Sequence, residues 1–241
     1  MNEEKKPNGE IVLQGRFWKW LDNFWYHYKW VTIGVAVALV ILLVCILQTC
    51  SKEKEDLMMT YAGPTVLSVS ELEQVSEVMN SVMPYDADEN GKKHTAWMTY
   101  QIYSEDQIRE LTETNTEGKV TQTVDRSFNS DQYSVFNNYL KTGESSIFLL
   151  DPWLYESLAT TDHLMPLSEV LETVPEGAVG ECGIRLGDTD LYEKYAVLRL
   201  LPADTVICLM KQYVIGRSSD EEQYRFECDM FRAIVTYQNE G

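Results

Sequence analysis

The stretch DADENG places Asp86, Asp88, Asn90 and Gly91 at the first, third, fifth and sixth positions of an EF-hand-like calcium loop. Oxygen side chains at alternate positions could converge there on one cation. The twelfth position, which should supply a bidentate glutamate, is Trp97, and Lys92 and Lys93 bring positive charge to the same loop. The expectation is a polar turn in which Asn-Gly tolerates positive φ, with no metal. A second acidic cluster, GDTDLYE, holds Asp188, Asp190 and Glu193. Three carboxylates could gather a cation, but Asp190 and Glu193 also suit the first turn of a short helix, and a solvated acidic face is expected. The third candidate is Asp151, which ends the apolar run IFLL and is followed by Pro152 and Trp153. An aspartate there could be a catalytic carboxylate, a ligand contact or a helix cap.

The partners that catalysis would need are missing. The chain has no G-x-S-x-G elbow, no H-E-x-x-H, no C-x-x-C and no phosphate-cradling glycine loop. Of the histidines, His27 precedes an apolar span, and His94 and His163 sit in no motif. A non-enzymatic role without a cofactor is the expectation. For Asp151, proline at the next position favours the cap, because Asp-Pro suits N-cap and N1.

The elements that must position these residues follow from periodicity. Leu57 to Tyr61 reads as a first strand, stopped by Gly63-Pro64. From Ser68 to Met83, Leu72, Val75, Met79, Val82 and Met83 recur at helical spacing, and Ser70 with Glu73 offers a capping box. Thr95 to Tyr103 alternates like a half-buried strand. Residues 112–130 are polar and β-leaning, and KVTQTV within them suggests an edge strand. A helix is expected from Asp131, through Tyr133, Phe136, Tyr139 and Leu140 to Gly143. Ile147 to Leu150 is too uniformly apolar to face water on either side and reads as a central strand. Tyr195–Leu201 and Thr205–Met210, separated by Pro202-Ala203-Asp204, read as a strand pair. A last helix begins near Asp220 with Tyr224, Cys228, Phe231 and Val235 on one stripe. Strands alternating with helices predict an α/β layer with a partly parallel sheet.

Ahead of this domain lies Val31 to Leu47, uncharged and nearly long enough for a hydrocarbon core of roughly 30 Å. Four of the six tryptophans (Trp18, Trp20, Trp25, Trp30) precede it, an aromatic belt for the interface. Phe17, Leu21, Phe24 and Tyr28 follow helical spacing, as an amphipathic turn feeding the span would. The predicted organisation is a leader over 1–30, a transmembrane helix over 31–48, a charged collar over 49–56 and an α/β domain over 57–241. Arg16, Lys19 and Lys29 before the span against Lys52 and Lys54 after it favour a cytoplasmic N-terminus and an extracellular domain. Of 20 basic and 38 acidic residues, 5 and 4 lie in residues 1–50, which leaves 15 and 34 beyond them. A net charge of −19 there repels nucleic acid, which is excluded as a partner. Cys182, Cys208 and Cys228 allow at most one internal bridge, and Cys208 and Cys228 sit in apolar patterns. Leu47-Gln48-Thr49-Cys50 resembles a bacterial lipobox, but Thr49 stands where a smaller residue is usual, so an uncleaved anchor is expected.

The segment VFNNYLKTGESSIFLLDPWLYESLATTDHLMPLSEVL resembles the third-strand region of type 2 extracellular solute-binding proteins, the receptors of ABC importers. A helix and small-residue turn lead into a buried strand ending in Asp151, then a helix and a Leu164-Met165-Pro166-Leu167 return. The resemblance covers most of residues 55–235 in element order and implies a lobe of that fold. Only Leu171 to Lys194 stand where a second lobe would be, so that lobe is reduced or missing. The resemblance implies a solute receptor, with an ABC permease or another membrane protein as partner. In open α/β sheets a ligand sits beyond the carboxyl ends of the strands, which points to Tyr61, Asp151 and Trp153. The competing expectation is a structural or interaction protein that uses the same scaffold as a docking surface.

Overall fold

The computed structural model describes residues 16–50, 55–112 and 123–238. The chain divides into two units, Met1–Glu53 and Lys54–Gly241.

In the first unit, Arg16–Cys50 is one helix of 35 residues, α1. Within it Asn23–Ile46, 24 residues, is long and apolar enough to cross a membrane. Trp20, Phe24 and Tyr28 stack at i, i+4 spacing with ring centroids 5.6 and 5.3 Å apart. From Arg16 onward the leader belongs to the same helix, and these three rings form a ladder along one face of it.

In the second unit a mixed six-stranded sheet carries helices on both faces. Its strands are β1 (Leu57–Gly63), β2 (Thr95–Gln101), β3 (Ile147–Leu150), β4 (Ala178–Val179), β5 (Gly183–Arg185) and β6 (Val206–Leu209), in the order β2-β1-β3-β6-β5-β4. β1 pairs in parallel with β2 and β3, while β6 runs antiparallel to β3 and β5. Side-chain parity sets the two cores. Leu57, Met59 and Tyr61 of β1 join Ile147, Leu149, Ile207 and Leu209 on one face. There they meet α2 (Val69–Val82) and α8 (Glu221–Val235). Ala62, Phe148, Leu150, Val206 and Cys208 face the other way, toward α4 (Arg126–Tyr139) and α5 (Pro152–Ala159). All four residues of β3 are buried, as its uniform apolarity predicts.

Several boundaries differ from the sequence expectations. The capping box of α2 is Ser68 with Glu71, two residues earlier than Ser70 with Glu73. β1 runs to Gly63, which puts Tyr61 inside the strand. The polar stretch after β2 contains a helix, α3 (Glu105–Thr112), and α4 starts at Arg126, capped by Asp125 and five residues ahead of the expected start at Asp131. Most of KVTQTV lies outside the described residues. Tyr195–Leu201 is not a strand: Ala196–Leu200 forms a 3-10 helix that buries Leu198, and β5 takes the place beside β6. Two short helices, α6 (Leu167–Val170) and α7 (Asp190–Lys194), complete the unit; Asp190 and Glu193 lie in the first turn of α7. Cys182, Cys208 and Cys228 are free thiols, and Cys208 is fully buried.

Candidate functional site

β1, β2 and β3 are parallel, so their carboxyl ends share one edge of the sheet, formed by Gly63, Gln101 and Leu150. Asp151 follows there and is 8% exposed. Its Oδ1 accepts the backbone N–H of Trp153 at 3.2 Å, which caps α5 with Pro152 at N1. Its Oδ2 accepts a hydrogen bond from Gln107 Nε2 at 2.8 Å. Burial pushes the carboxyl above the ordinary aspartate value, the two donors pull it back, and the charge of Asp204 raises it further.

Gln107 belongs to the unanticipated α3. Its amide oxygen accepts the N–H of Ser104 at 2.8 Å, and Ser104 Oγ accepts the N–H of Gln107 at 3.1 Å. One side chain therefore closes a capping box at one end and holds Asp151 at the other. The signal was present in the sequence as Ser-Glu-Asp-Gln over 104–107, a capping box that the polar surroundings concealed.

Tyr61 is 1% exposed, with its ring in the core on the α2 and α8 face. Its hydroxyl accepts the N–H of Thr65 at 3.2 Å, and burial raises its pKa. Its hydroxyl also crowds Gly63: a Cβ there would lie 2.6 Å from it. Trp153 is half-buried and stacks on Tyr133, with centroids 5.8 Å apart and planes 27° from parallel. Its indole Nε1 is buried with no hydrogen-bond partner among the described residues. Trp153, Tyr133, Tyr103, Asn129 and Arg126 line a cleft of about 360 Å³ between α3 and α4. Asp151 and Trp153 are thus adjacent, while Tyr61 lies beneath the edge and shows it almost no surface. Beyond β1, the turn into α2 exposes Val66 (65%) and the first residue of α2 exposes Val69 (75%).

The DADENG loop folds on itself. Asp86 Oδ2 accepts the N–H of Gly91 at 2.6 Å, and Asp88 Oδ1 accepts that of Asn90 at 3.1 Å. Gly91 adopts φ +87°, the conformation expected of Asn-Gly. Asp56, overlooked in the sequence, reaches this loop and accepts the N–H groups of Ala87, Asp88 and His94 at 2.9, 3.2 and 2.8 Å. Asp56, Asp86 and Asp88 bring carboxylate oxygens within 4.8 Å of one another, a spacing that could hold a cation. The three amides already held by Asp56 give the cluster a structural purpose, fixing the loop to the start of β1.

A second concavity lies at the opposite edge, where β6 ends. A groove of about 600 Å³ is bounded by Leu140, Leu158, Met210, Tyr213, Val214 and Ile215.

Compared with protein-family models, with curated proteins and with solved structures, the chain matches none of them.

Proposed function

We propose that this chain is a membrane-anchored, non-catalytic interaction module whose α/β domain docks a neighbouring protein at the membrane. The anchor is Val31 to Leu47, with the N-terminus cytoplasmic and the domain extracellular, supported by the span in α1 and by the three-to-two excess of basic residues before it. The scaffold is that of one lobe of a type 2 solute-binding protein, a reading supported by the IFLLDPW segment and the order of elements.

The observation that carries the docking role is the filled carboxyl edge. Asp151 is occupied by Gln107 and by the Trp153 amide, Tyr61 is 1% exposed, and Val66 and Val69 project outward. A solute receptor needs polar groups turned into a cavity. Here they are turned into the fold. The second reading is capture of a small solute for an ABC permease, and Trp153 Nε1, which has no partner among the described residues and lies beside the Tyr133 cleft, favours it.

The test is a thermal-shift screen of the full chain in detergent micelles against amino acids, short peptides and sugars. A ligand at one hundred times its Kd adds about 2.7 kcal/mol of stability. The docking role predicts no shift from any of them. A saturable shift that Trp153→Ala abolishes would establish the solute reading instead.

A further inference from the structure

We propose that the loop from Lys211 to Arg217 is a lipid-contacting wedge, with Val214 and Ile215 entering the headgroup boundary of the bilayer that anchors the chain. The inference rests on the reading of α1 as a membrane anchor.

Val214 is 94% exposed and Ile215 62%, adjacent apolar residues at the tip of a loop in an otherwise acidic unit. Single exposed apolar residues are ordinary, but these two extend an apolar groove floored by Leu140, Leu158 and Met210. The loop is held in place. Gly143, at φ +68°, and Gly216, at φ +81°, let two backbones meet: a Cβ on Gly143 would lie 2.0 Å from the Ile215 carbonyl oxygen. A Cβ on Gly216 would lie 2.0 Å from that of Thr142. The N–H of Ser218 donates to Gly143 O at 2.7 Å, and that of Lys211 to His163 O at 2.8 Å. Such clamping presents the apolar pair outward as a built feature, where a loose loop could have folded it into the groove.

The tether selects lipid as the occupant. The Arg217 guanidinium donates to the backbone oxygens of Glu55 and Asp56, and Gln223 Nε2 donates to the same Asp56 oxygen at 3.0 Å. Glu55 is five residues beyond Cys50, where α1 ends, and five extended residues span at most about 18 Å. The residues to which the loop is fastened are thus the first described ones that follow α1 in the chain. Lys141 flanks the groove, and its stem can lie along apolar surface with the ammonium group at the headgroups, while the Lys211 ammonium on the other side is held by Asp162 at 2.5 Å. The acidic domain supplies no attraction to anionic lipid, so the apolar pair drives contact with a zwitterionic surface.

The experiment uses the full chain in phosphatidylcholine vesicles containing a spin-labelled lipid quencher. A fluorophore is attached through Gln212→Cys in a background with Cys45, Cys50, Cys182 and Cys228 changed to alanine. The same label at Val174→Cys, 44% exposed and in the segment leading to β4, is the reference. Lipid quenching at position 212 is expected to exceed that at 174 at least threefold, and V214E/I215E to abolish the excess while the melting temperature stays unchanged. Equal quenching at the two positions overturns the wedge. So does concentration-dependent self-quenching at position 212 without lipid quenching, which would make a second copy the occupant. A label on Cys45 alone tests the anchor: quenching there with none at 212 removes the wedge and leaves the anchor standing.

Discussion

Replacing Asp151 by alanine tests whether this carboxylate is structural. The substitution removes the N-cap of α5, worth about 1 kcal/mol. It also leaves Gln107 Nε2 without its acceptor at a site 8% exposed, worth about another 1 kcal/mol. Relief of a carboxylate whose pKa burial has raised offsets part of this, so the net loss is about 1–2 kcal/mol. For a unit of this size each kcal/mol moves the melting temperature by about 2–4 °C, which gives a drop of about 2–8 °C. Asp151→Asn keeps the cap without the charge, but its Nδ2 would face the Gln107 Nε2 donor, so it should recover only the cap and melt about 2–4 °C above the alanine variant. The assay is thermal unfolding of the full chain in micelles, followed by near-ultraviolet circular dichroism, because α1, which belongs to the other unit, adds to any helix signal. Because Gln107 and Asp151 share one bond across 44 residues, the Gln107→Ala/Asp151→Ala pair should be less damaging than the sum of its singles by about 1 kcal/mol. An unchanged melting temperature for Asp151→Ala, or asparagine as damaging as alanine, would refute the cap and point to a role for the charge itself.

Glu227 is fully buried on α8; Ser218 Oγ donates to its Oε1 at 3.1 Å, and burial raises its pKa above the ordinary glutamate value despite the nearby Arg217. A raised folded pKa means stability present below the unfolded value near 4.5 and lost as pH rises through the folded one. Glu227→Gln should therefore melt higher than the parent at pH 7 to 8, by about 1.4 kcal/mol for each unit of elevation, and the two should converge at pH 4.5 and below. A gap that stays constant from pH 4 to 8 would contradict this. Gly143→Ala, at φ +68° and 2.0 Å from the Ile215 oxygen, should cost about 2 kcal/mol or more in thermal unfolding and loosen the Val214 tip, measured as faster amide exchange over residues 211–218. Unaltered exchange there would mean that the two glycines do not clamp the loop. Asp56→Ala removes the acceptor of three amides and should accelerate exchange at Ala87, Asp88 and His94, whereas calcium should leave the parent's exchange unchanged.

Much of the α/β layer was legible where burial dominates the choice of residue. β3 is apolar on both faces because α2 and α8 cover one side of it and α4 and α5 the other, and α2 and α8 show their stripes because each packs one face on the sheet. The misses have common causes. α3 carries only Ile108 fully into the core, so its period is too weak to see, although its capping box is written in the sequence. Tyr195, Leu198 and Leu201 are three apart, the period of a 3-10 helix, but apolar neighbours between them imitate a strand. Tyr61 shares the parity of Leu57 and Met59, which sends it into the core once β1 is known to continue to Gly63. The Asp151 cap was readable because its amide partner is two residues away. Gln107 and Asp56 were not, since their hydrogen bonds cross 44 and 31 to 38 residues and only the tertiary fold brings those partners together.

Docking of a protein at the filled carboxyl edge is the proposal to be tested first. A photoreactive residue placed at Val66 or Val69 in the full chain, in native membranes, measures this directly. Docking predicts a covalent adduct of one discrete mass with another protein from both positions, and none from Val174 under the same illumination. Only uncrosslinked chain from Val66 and Val69, together with a solute that protects Trp153 from modification, would contradict it.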